Sequence, residues 1–300
     1  MLSICIPIYN FNITGLVNDL CTQINKSDPP VEIILIDDYS DKTFRLENQI
    51  IHASIKYIQL DENIGRSRIR NLFLQYVKFE YLLFLDCDSI ITSQNFVQNY
   101  IDVIKNQDVQ VVCGGRLYPD DKPQKDHILR WKYGRNKESR DALTRSQNPN
   151  KSFMTNNFLI KRTLLKAIPF DERFVRYGHE DTLLGYQLKI NGIEITHIEN
   201  PVLNGDIEDN ALFIEKTEQG ILNLIKIISF HDFSEGIIDD VNLLKVYKNI
   251  SKWHLKLIVE LFFLLSGKAI KSSLINRYSN LILFDIYKMG YLNHHLLKSN

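Results

Sequence analysis

Asp86 and Asp88 stand two residues apart, directly after the apolar run Tyr81-Leu82-Leu83-Phe84-Leu85. Carboxylates so placed at a strand end can converge their oxygens on one hard divalent cation, Mg2+ or Mn2+, with phosphate oxygens completing its shell. A cation held in this way neutralises a diphosphate leaving group. The same pair also suits a solvated turn that does no chemistry, and its place after a strongly apolar strand favours the cation. Two further apolar runs end in polar clusters, Pro7-Ile8-Tyr9-Asn10 and Asp37-Asp38-Tyr39-Ser40-Asp41. Between residues 62 and 71, Arg66, Arg68 and Arg70 gather at the start of a helical pattern. Backbone N–H groups and the helix dipole add to their attraction for anions there, although a solvated basic helix start reads the same way. Gly178-His179-Glu180-Asp181 opens another helical pattern. Acids in a first turn commonly offset the macrodipole, and His179 taken alone reads first as structural. No Gly-x-Gly-x-x-Gly follows the first strand and no P-loop pattern occurs, so phosphates would depend on a cation and on arginine.

The elements that must position these clusters are legible as alternating patterns. Short β-branched runs predict strands over 2–8, 31–36, 55–59, 81–85 and 109–113. Apolar residues at helical spacing (Ile13, Leu16, Val17, Leu20 and Ile24; then Ile69, Leu72, Phe73 and Tyr76) predict crossover helices between them. The expected fold class is α/β, a mostly parallel central sheet flanked by helices. Ligands bind such sheets beyond the carboxyl ends of the strands, which would bring the three strand-end clusters to one edge. Residues 118–151 are polar with interspersed prolines and aromatics, and predict a long, partly mobile loop over a site. Beyond it the pattern predicts a strand at 152–160, a short helix from Arg162, a helix over 180–191 closed by Gly192, a last strand at 193–198, and a helical tail over 210–297.

Taken in order, Pro7-Ile8-Tyr9-Asn10, Asp37-Asp38-Tyr39-Ser40, Glu62-Asn63-x-Gly65 with Arg70-Asn71, Asp86-x-Asp88, Asn156-Asn157 and Gly178-x-Glu180-Asp181 resemble the family 2 glycosyltransferases of the GT-A fold. The likeness covers about residues 1–205. It implies a catalytic domain over 1–205, with a nucleotide-binding half over 1–115 and an acceptor half over 116–205, followed by a helical C-terminal extension over 206–300. It implies a nucleotide-sugar donor, a UDP-sugar favoured, a divalent metal (Mn2+ or Mg2+), and a glycan or lipid-linked glycan acceptor. Carried over by position, Pro7, Tyr9 and Asp38 line the nucleoside pocket with Asp37 nearby, and Asn63 and Gly65 belong to the donor-binding segment. Arg70 supports the base or the metal-site carboxylates. Asp88 touches the metal, Asp86 lies nearer the ribose or a metal-bound water, and Asn156 and Asn157 border the donor sugar and acceptor. Asp181 is the general base and Glu180 orients acceptor or donor. The implied chemistry is an inverting, in-line displacement at the anomeric carbon, with an Asp near its ordinary pKa as base, in surface polysaccharide or lipopolysaccharide synthesis. The sequence departs from the family pattern where many relatives place a histidine metal ligand: Asn200-Pro201-Val202-Leu203 is followed by Asn204, so that either Asn204 or Asp206 supplies an oxygen instead or the metal is held more weakly. Two other readings share the α/β expectation: a non-catalytic sugar-nucleotide or glycan-binding scaffold, and a sugar-phosphate nucleotidylyltransferase, whose Gly-rich activating loop is not provided by Tyr9-Asn10-Phe11-Asn12.

With 300 residues, 44% of them hydrophobic, the chain can bury a substantial core, which sets aside disordered and fibrous classes. Formal charge sums to zero but is uneven, since from Lys245 onward nine Lys/Arg face only Glu260 and Asp285. The basic tail mixes lysines with Trp253, Phe262, Phe263, Tyr278, Phe284, Tyr287 and Tyr291, which suits an anionic membrane surface, a homodimer contact or ordinary packing. No motif for reading nucleic acid is present. The apolar runs 257–265 and 281–284 are too short to span a bilayer, no secretory leader is evident, and Cys5, Cys21, Cys87 and Cys113 show no paired or metal spacing. These features predict a cytoplasmic chain, with peripheral attachment to the inner membrane face as one reading of the tail.

Overall fold

Leu2–Ile8 (β1) is buried along nearly its whole length in the computed structural model, which describes residues 1–24, 29–49, 55–174, 177–230, 234–277 and 279–299. Burial on both faces is what a central strand of a helix-covered parallel sheet requires, and it explains the near-continuous apolar run. The other strands are β2 (Val31–Asp37), β3 (Lys56–Gln59), β4 (Tyr81–Leu85), β5 (Ser89–Ile91), β6 (Val111–Cys113), β7 (Arg116–Leu117), β8 (Asn157–Lys161), β9 (Thr196–His197) and β10 (Val202–Asn204). Helices in the same region are α1 (Thr14–Ile24), α2 (Lys42–Asn48), α3 (Arg66–Leu72), α4 (Phe96–Asn106), α5 (Ile128–Tyr133), α6 (Ala142–Ser146), α7 (Arg162–Ala167) and α8 (Glu180–Ile190).

Among the described residues the main sheet has seven strands in the order β3-β2-β1-β4-β8-β6-β9. All neighbours are parallel except β8, which runs antiparallel between β4 and β6. This is the mostly parallel α/β architecture expected of a GT-A fold. Side chains alternate across it with period two. Leu2, Ile4, Ile6, Leu83 and Leu85 pack with α1 and α4 on one face, while Cys5, Leu82 and Phe84 pack with α3, α7 and α8 on the other. Register pairs Ile8 with Asp37 and Leu85 with Asn157, so the ends of β1, β2 and β4 and the start of β8 share one edge. A second, three-stranded sheet, β5-β10-β7, lies beside the segment that follows β4.

Compared with the sequence expectation, α2, α4 and the small sheet are additional, and the strands predicted at 109–113, 152–160 and 193–198 shrink to Val111–Cys113, Asn157–Lys161 and Thr196–His197. Residues 118–151 are not a long loop. They carry a 3-10 turn at Lys125–His127, α5, a π-helical turn at Gly134–Glu138 and α6. Buried arginines account for the order: Arg130 is clamped bidentately by Glu138 at 3.1 and 3.0 Å. Arg145, 1% exposed, donates to the carbonyls of Cys113, Gly114, Ile198 and Arg140. Polar composition there hid side chains that order backbone rather than solvate it.

The chain divides into two compact units. The first, Met1–Pro119, Ser139–Val175 and Glu180–Asp206, holds both sheets. The second comprises Asp120–Glu138, Arg176–His179 and Ile207–Asn300. It contains α5 and the tail helices α9 (Asn210–Ser229), α10 (Ser234–Asp240), α11 (Asn242–Lys252), α12 (Lys256–Asn276) and α13 (Leu281–Ser299). Leu129, Phe213, Ile214, Ile270, Leu274, Phe284 and Tyr287 form its core. Buried Asn210 joins its parts, accepting from the Leu129 N–H and donating to the Lys125 and Ile275 carbonyls. Tyr278, one of the tail aromatics singled out in the sequence, lies outside the described residues.

Candidate active site

The turns after β1 and β2 hold each other in place. Asn10 and Tyr39 adopt φ of 49° and 65°, left-handed backbone that side chains other than glycine rarely take. The Ser40 hydroxyl accepts from the Asn10 N–H, the Asn10 side-chain oxygen accepts from the Asp41 N–H, and the Asp38 N–H donates to the Ile8 carbonyl. Strain of this kind persists where surrounding bonds over-determine it, commonly at ligand sites. Asp37 is wholly buried and serves the turn, accepting from the Ser40 N–H at 2.7 Å and the Tyr57 hydroxyl at 3.0 Å. Asp38 accepts the Ile64 and Gly65 N–H groups at 2.7 and 3.0 Å, and Asn63 donates to the Asp38 carbonyl. Burial raises the Asp38 carboxyl above its ordinary pKa, against the pull of those two N–H groups. Gly65, at φ 82°, makes the turn into α3. Pro7 is half-buried and Tyr9 is 56% exposed, so the Tyr9 ring is free to meet a planar ligand.

The segment after β4 meets the arginines. Arg70, 1% exposed, places Nη2 3.2 Å from Asp86 Oδ1 and Nη1 3.6 Å from Glu180 Oε1, while its guanidinium lies over the Phe170 ring. Arg66 repeats the bridge at 3.6 Å to Asp86 and 3.5 Å to Glu180. The α3 arginines thus tie the Asp86 loop to the first residue of α8. Arg116, on β7, reaches Asp86 Oδ2 at 3.6 Å. Burial pushes the Asp86 carboxyl up, but Arg66, Arg70 and Arg116 outweigh it and hold the group below the ordinary range. Asp88 goes the other way, raised by burial and then by the neighbouring Asp86 charge, with Arg116 and Asn204 only partly compensating.

The small sheet delivers the remaining groups. Asn204 pairs with Ser89 across β10 and β5, and its amide donates to Asp88 Oδ2 at 3.2 Å. Its side-chain oxygen is buried with no hydrogen-bond partner. An unsatisfied buried acceptor on a side chain that meets the Asp88 carboxylate has room in its bonding for a cation. Asp86, Asp88 and Asn204 offer only hard oxygen donors, which fits Mg2+ or Mn2+. Cys87 between the acids does not alter that: burial, then the charges of Asp88 and Asp86, push its thiol up to about 12, so it stays protonated. Among the described residues no three His, Cys, Asp or Glu side chains cluster at metal spacing.

Asn156 and Asn157 part company. The Asn156 carbonyl accepts the Asp86 N–H at 3.0 Å, and both polar atoms of its buried side chain are unpartnered. Asn157 is 0% exposed; its oxygen accepts from the Tyr100 hydroxyl and its amide donates to the Gly115 and Asn200 carbonyls. It is therefore a joint between β8 and the Gly114-Gly115 turn, and its position next to Asn156 gave no hint of that. Asp181 lies in the first turn of α8 and accepts from the Thr182 N–H at 2.7 Å. Burial and then the adjacent Glu180 charge raise its carboxyl to about 6, a correction to the ordinary value expected from sequence. Arg116 escaped sequence reasoning altogether, since a single arginine in a polar stretch carries no pattern.

A mostly parallel sheet whose carboxyl edge gathers strained turns, an aspartate pair, buried arginines and an acidic helix start defines an α/β protein of the GT-A fold. The profile of the family described as Glycosyl transferase family 2 matches residues 3–169, more than half of the chain, and the protein belongs to that family. It is 26% identical over 234 residues to the chondroitin synthase of Escherichia coli, covering 66% of this chain and 33% of that one, so it spans about a third of that relative's length. Among solved structures it is similar to residues 1–349 of S. aureus TarS (TM-score 0.54, 18% identity, 100% of this chain and 92% of that chain). It is also similar to the mannosyltransferase PcManGT from Pyrobaculum calidifontis, in complex with GDP-Man and Mn2+ (TM-score 0.59, 14% identity, 100% and 88%). At these identities the structural likenesses establish the fold.

Proposed function

We propose that this chain transfers a sugar from a nucleoside diphosphate donor, a UDP-sugar favoured, to an acceptor hydroxyl with inversion, in the making of a surface polysaccharide or lipopolysaccharide. The observation that carries the reading is Arg70, buried and bonded both to Asp86 of the aspartate pair and to Glu180 beside Asp181, which joins the leaving-group end and the proton-accepting end of one site. All of these residues lie in the first unit. We take 1–205 as the catalytic domain and 206–300 as a helical extension, with Asp120–Glu138 and Arg176–His179 of the former grouped in the second unit.

Tyr9 and Pro7 receive the base, and the strained turns carrying Asp37 and Asp38 fix the edge against which it rests. Asp86, Asp88 and Asn204 would hold a divalent cation, which when bound supplies positive charge to the departing diphosphate. Arg66 and Arg116 add fixed positive charge on the same side, poised by their pairing with Asp86. The unpartnered Asn156 amide offers both a donor and an acceptor to donor-sugar hydroxyls. Asp181 takes the proton of the attacking acceptor hydroxyl. With a pKa of about 6 it is mostly ionised at neutral pH yet more basic than an ordinary aspartate, close to what a general base needs. Glu180, held by two arginines, positions the acceptor or the donor sugar.

The test is a panel of nucleotide sugars with Mn2+, following nucleoside diphosphate release by wild type, Asp88→Ala and Asp181→Asn. Release from one donor, lost in both variants, supports the reading and names the donor. Binding of nucleotide sugars or glycans without turnover under any metal would instead make the chain a non-catalytic scaffold.

A further inference from the structure

The geometry points to the outward face of α12 as a docking surface for an anionic lipid bilayer, in whose interface the helix lies without crossing it. Leu257, Ile258, Leu261, Phe262, Leu264 and Leu265 are each half or more exposed, Leu265 at 79%. At 100° per residue they cover one continuous arc, while Gly267, Ile270 and Leu274 on the opposite arc are buried in the second unit's own core. The helix therefore meets its packing needs on one side and leaves an apolar stripe on the other. Trp253 and Leu255, which lead into α12, are exposed beside it. A contiguous patch of this kind marks an interaction surface.

Charge selects the occupant. Between residues 242 and 284 there are seven Lys/Arg and one acid, Glu260. That acid does not face outward: it lies on the packed side and meets His294 Nδ1 at 2.6 Å. Lys245, Lys248 and Lys252 of α11, the helix that precedes the stripe in the chain, and Lys268 of α12 itself are exposed. The nearest preceding acids are Asp239 and Asp240, of which Asp239 pairs with Lys248. A second copy docked on this face would set two basic surfaces against each other, whereas a bilayer of anionic headgroups over acyl chains complements both the lysines and the leucines. Tryptophan at the stripe's end suits the headgroup depth. Among the described residues no helix is long and apolar enough to cross a membrane, so the contact is interfacial. The inference stands apart from the proposed transfer reaction and survives its failure.

The experiment is vesicle flotation with the full chain. Wild type floats with vesicles of equal parts phosphatidylglycerol and phosphatidylcholine, and not with phosphatidylcholine alone. In a Trp131→Phe background the Trp253 emission shifts to the blue on the anionic vesicles. Replacing Lys252 and Lys268 by Gln lowers partition by about fivefold for each lysine, and Leu261→Glu with Leu265→Glu lowers it at least about tenfold. Both pairs are solvent-exposed, and unchanged thermal melts verify that the fold is intact. Equal flotation with neutral vesicles overturns the assignment. So does absence of flotation with the anionic vesicles, and a dimer then seen by sedimentation velocity and dissociated by the leucine variant would make the stripe a contact between copies.

Discussion

Asp181 and Arg70 carry the energetics of the site at the level of single residues. A folded-state carboxyl at about 6 binds more protons than its unfolded counterpart between the ordinary value and 6, so Asp181 makes the fold less stable as pH rises through that window. Activity in the proposed reaction has the opposite dependence, because only the ionised form of Asp181 can accept a proton. Nucleoside diphosphate release in a pH series should therefore fall off below about 6. Asp181→Asn should lose about 100-fold or more of the rate while the fold gains on the order of 1 kcal/mol at neutral pH; a melt at pH 7 beside the rate assay reads both. A pH profile flat from 5 to 8 would remove Asp181 from the role of base. Arg70 predicts the reverse pairing of effects. Arg70→Ala strands Asp86 and Glu180 with fewer cations in a buried setting, and should cost about 3–5 kcal/mol as well as activity. Arg70→Lys should not restore either, since an ammonium cannot span both carboxylates as the planar guanidinium does.

At the level of elements, the three-stranded sheet decides which residues meet the aspartate pair. β10 brings Asn204 to Asp88 and β7 brings Arg116 to Asp86. Asn204→Ala removes both a candidate ligand and the amide that supports Asp88. The Mn2+ concentration for half-maximal diphosphate release should rise about 10–100-fold, as for lost supporting contacts at other metal sites, and calorimetric titration of Mn2+ in the presence of nucleoside diphosphate should report the same change. The strand-end clusters and the main sheet were readable from sequence because β-branched runs and the acids after them are local patterns with a fixed period. The pairing of β5, β10 and β7 was not, because strands of two or three residues have too few positions to show alternation. Nor was the order of residues 118–151, where Arg130 and Arg145 are buried by partners distant in sequence. Asn156 and Asn157 illustrate the limit within one dipeptide: Asn156 lies in the turn before β8 with its amide unpartnered, while Asn157 opens the strand and its amide is consumed by the protein.

For the whole molecule, the first unit's site and its stability are linked through mass action. The bare site stores unfavourable electrostatics: Asp88 and Asp181 are both held above their ordinary pKa values by burial and a neighbouring like charge. A bound cation and diphosphate would relieve the first of these, and any ligand that binds only the folded chain stabilises it by about 2.7 kcal/mol at 100 times its dissociation constant. For a chain of this length that corresponds to a rise in melting temperature of about 2–4 °C per kcal/mol near the transition. Nucleoside diphosphate with Mn2+ should therefore raise the melting temperature by several degrees, and nucleoside diphosphate with a chelator should raise it far less. Asp88→Ala should abolish the metal-dependent part of the shift. Leu261→Glu with Leu265→Glu, far in sequence from every site residue and on an exposed face, should leave it intact. A shift that is the same with and without chelator would mean that Arg66 and Arg116 suffice for the diphosphate and that Asp88 binds no metal in this chain.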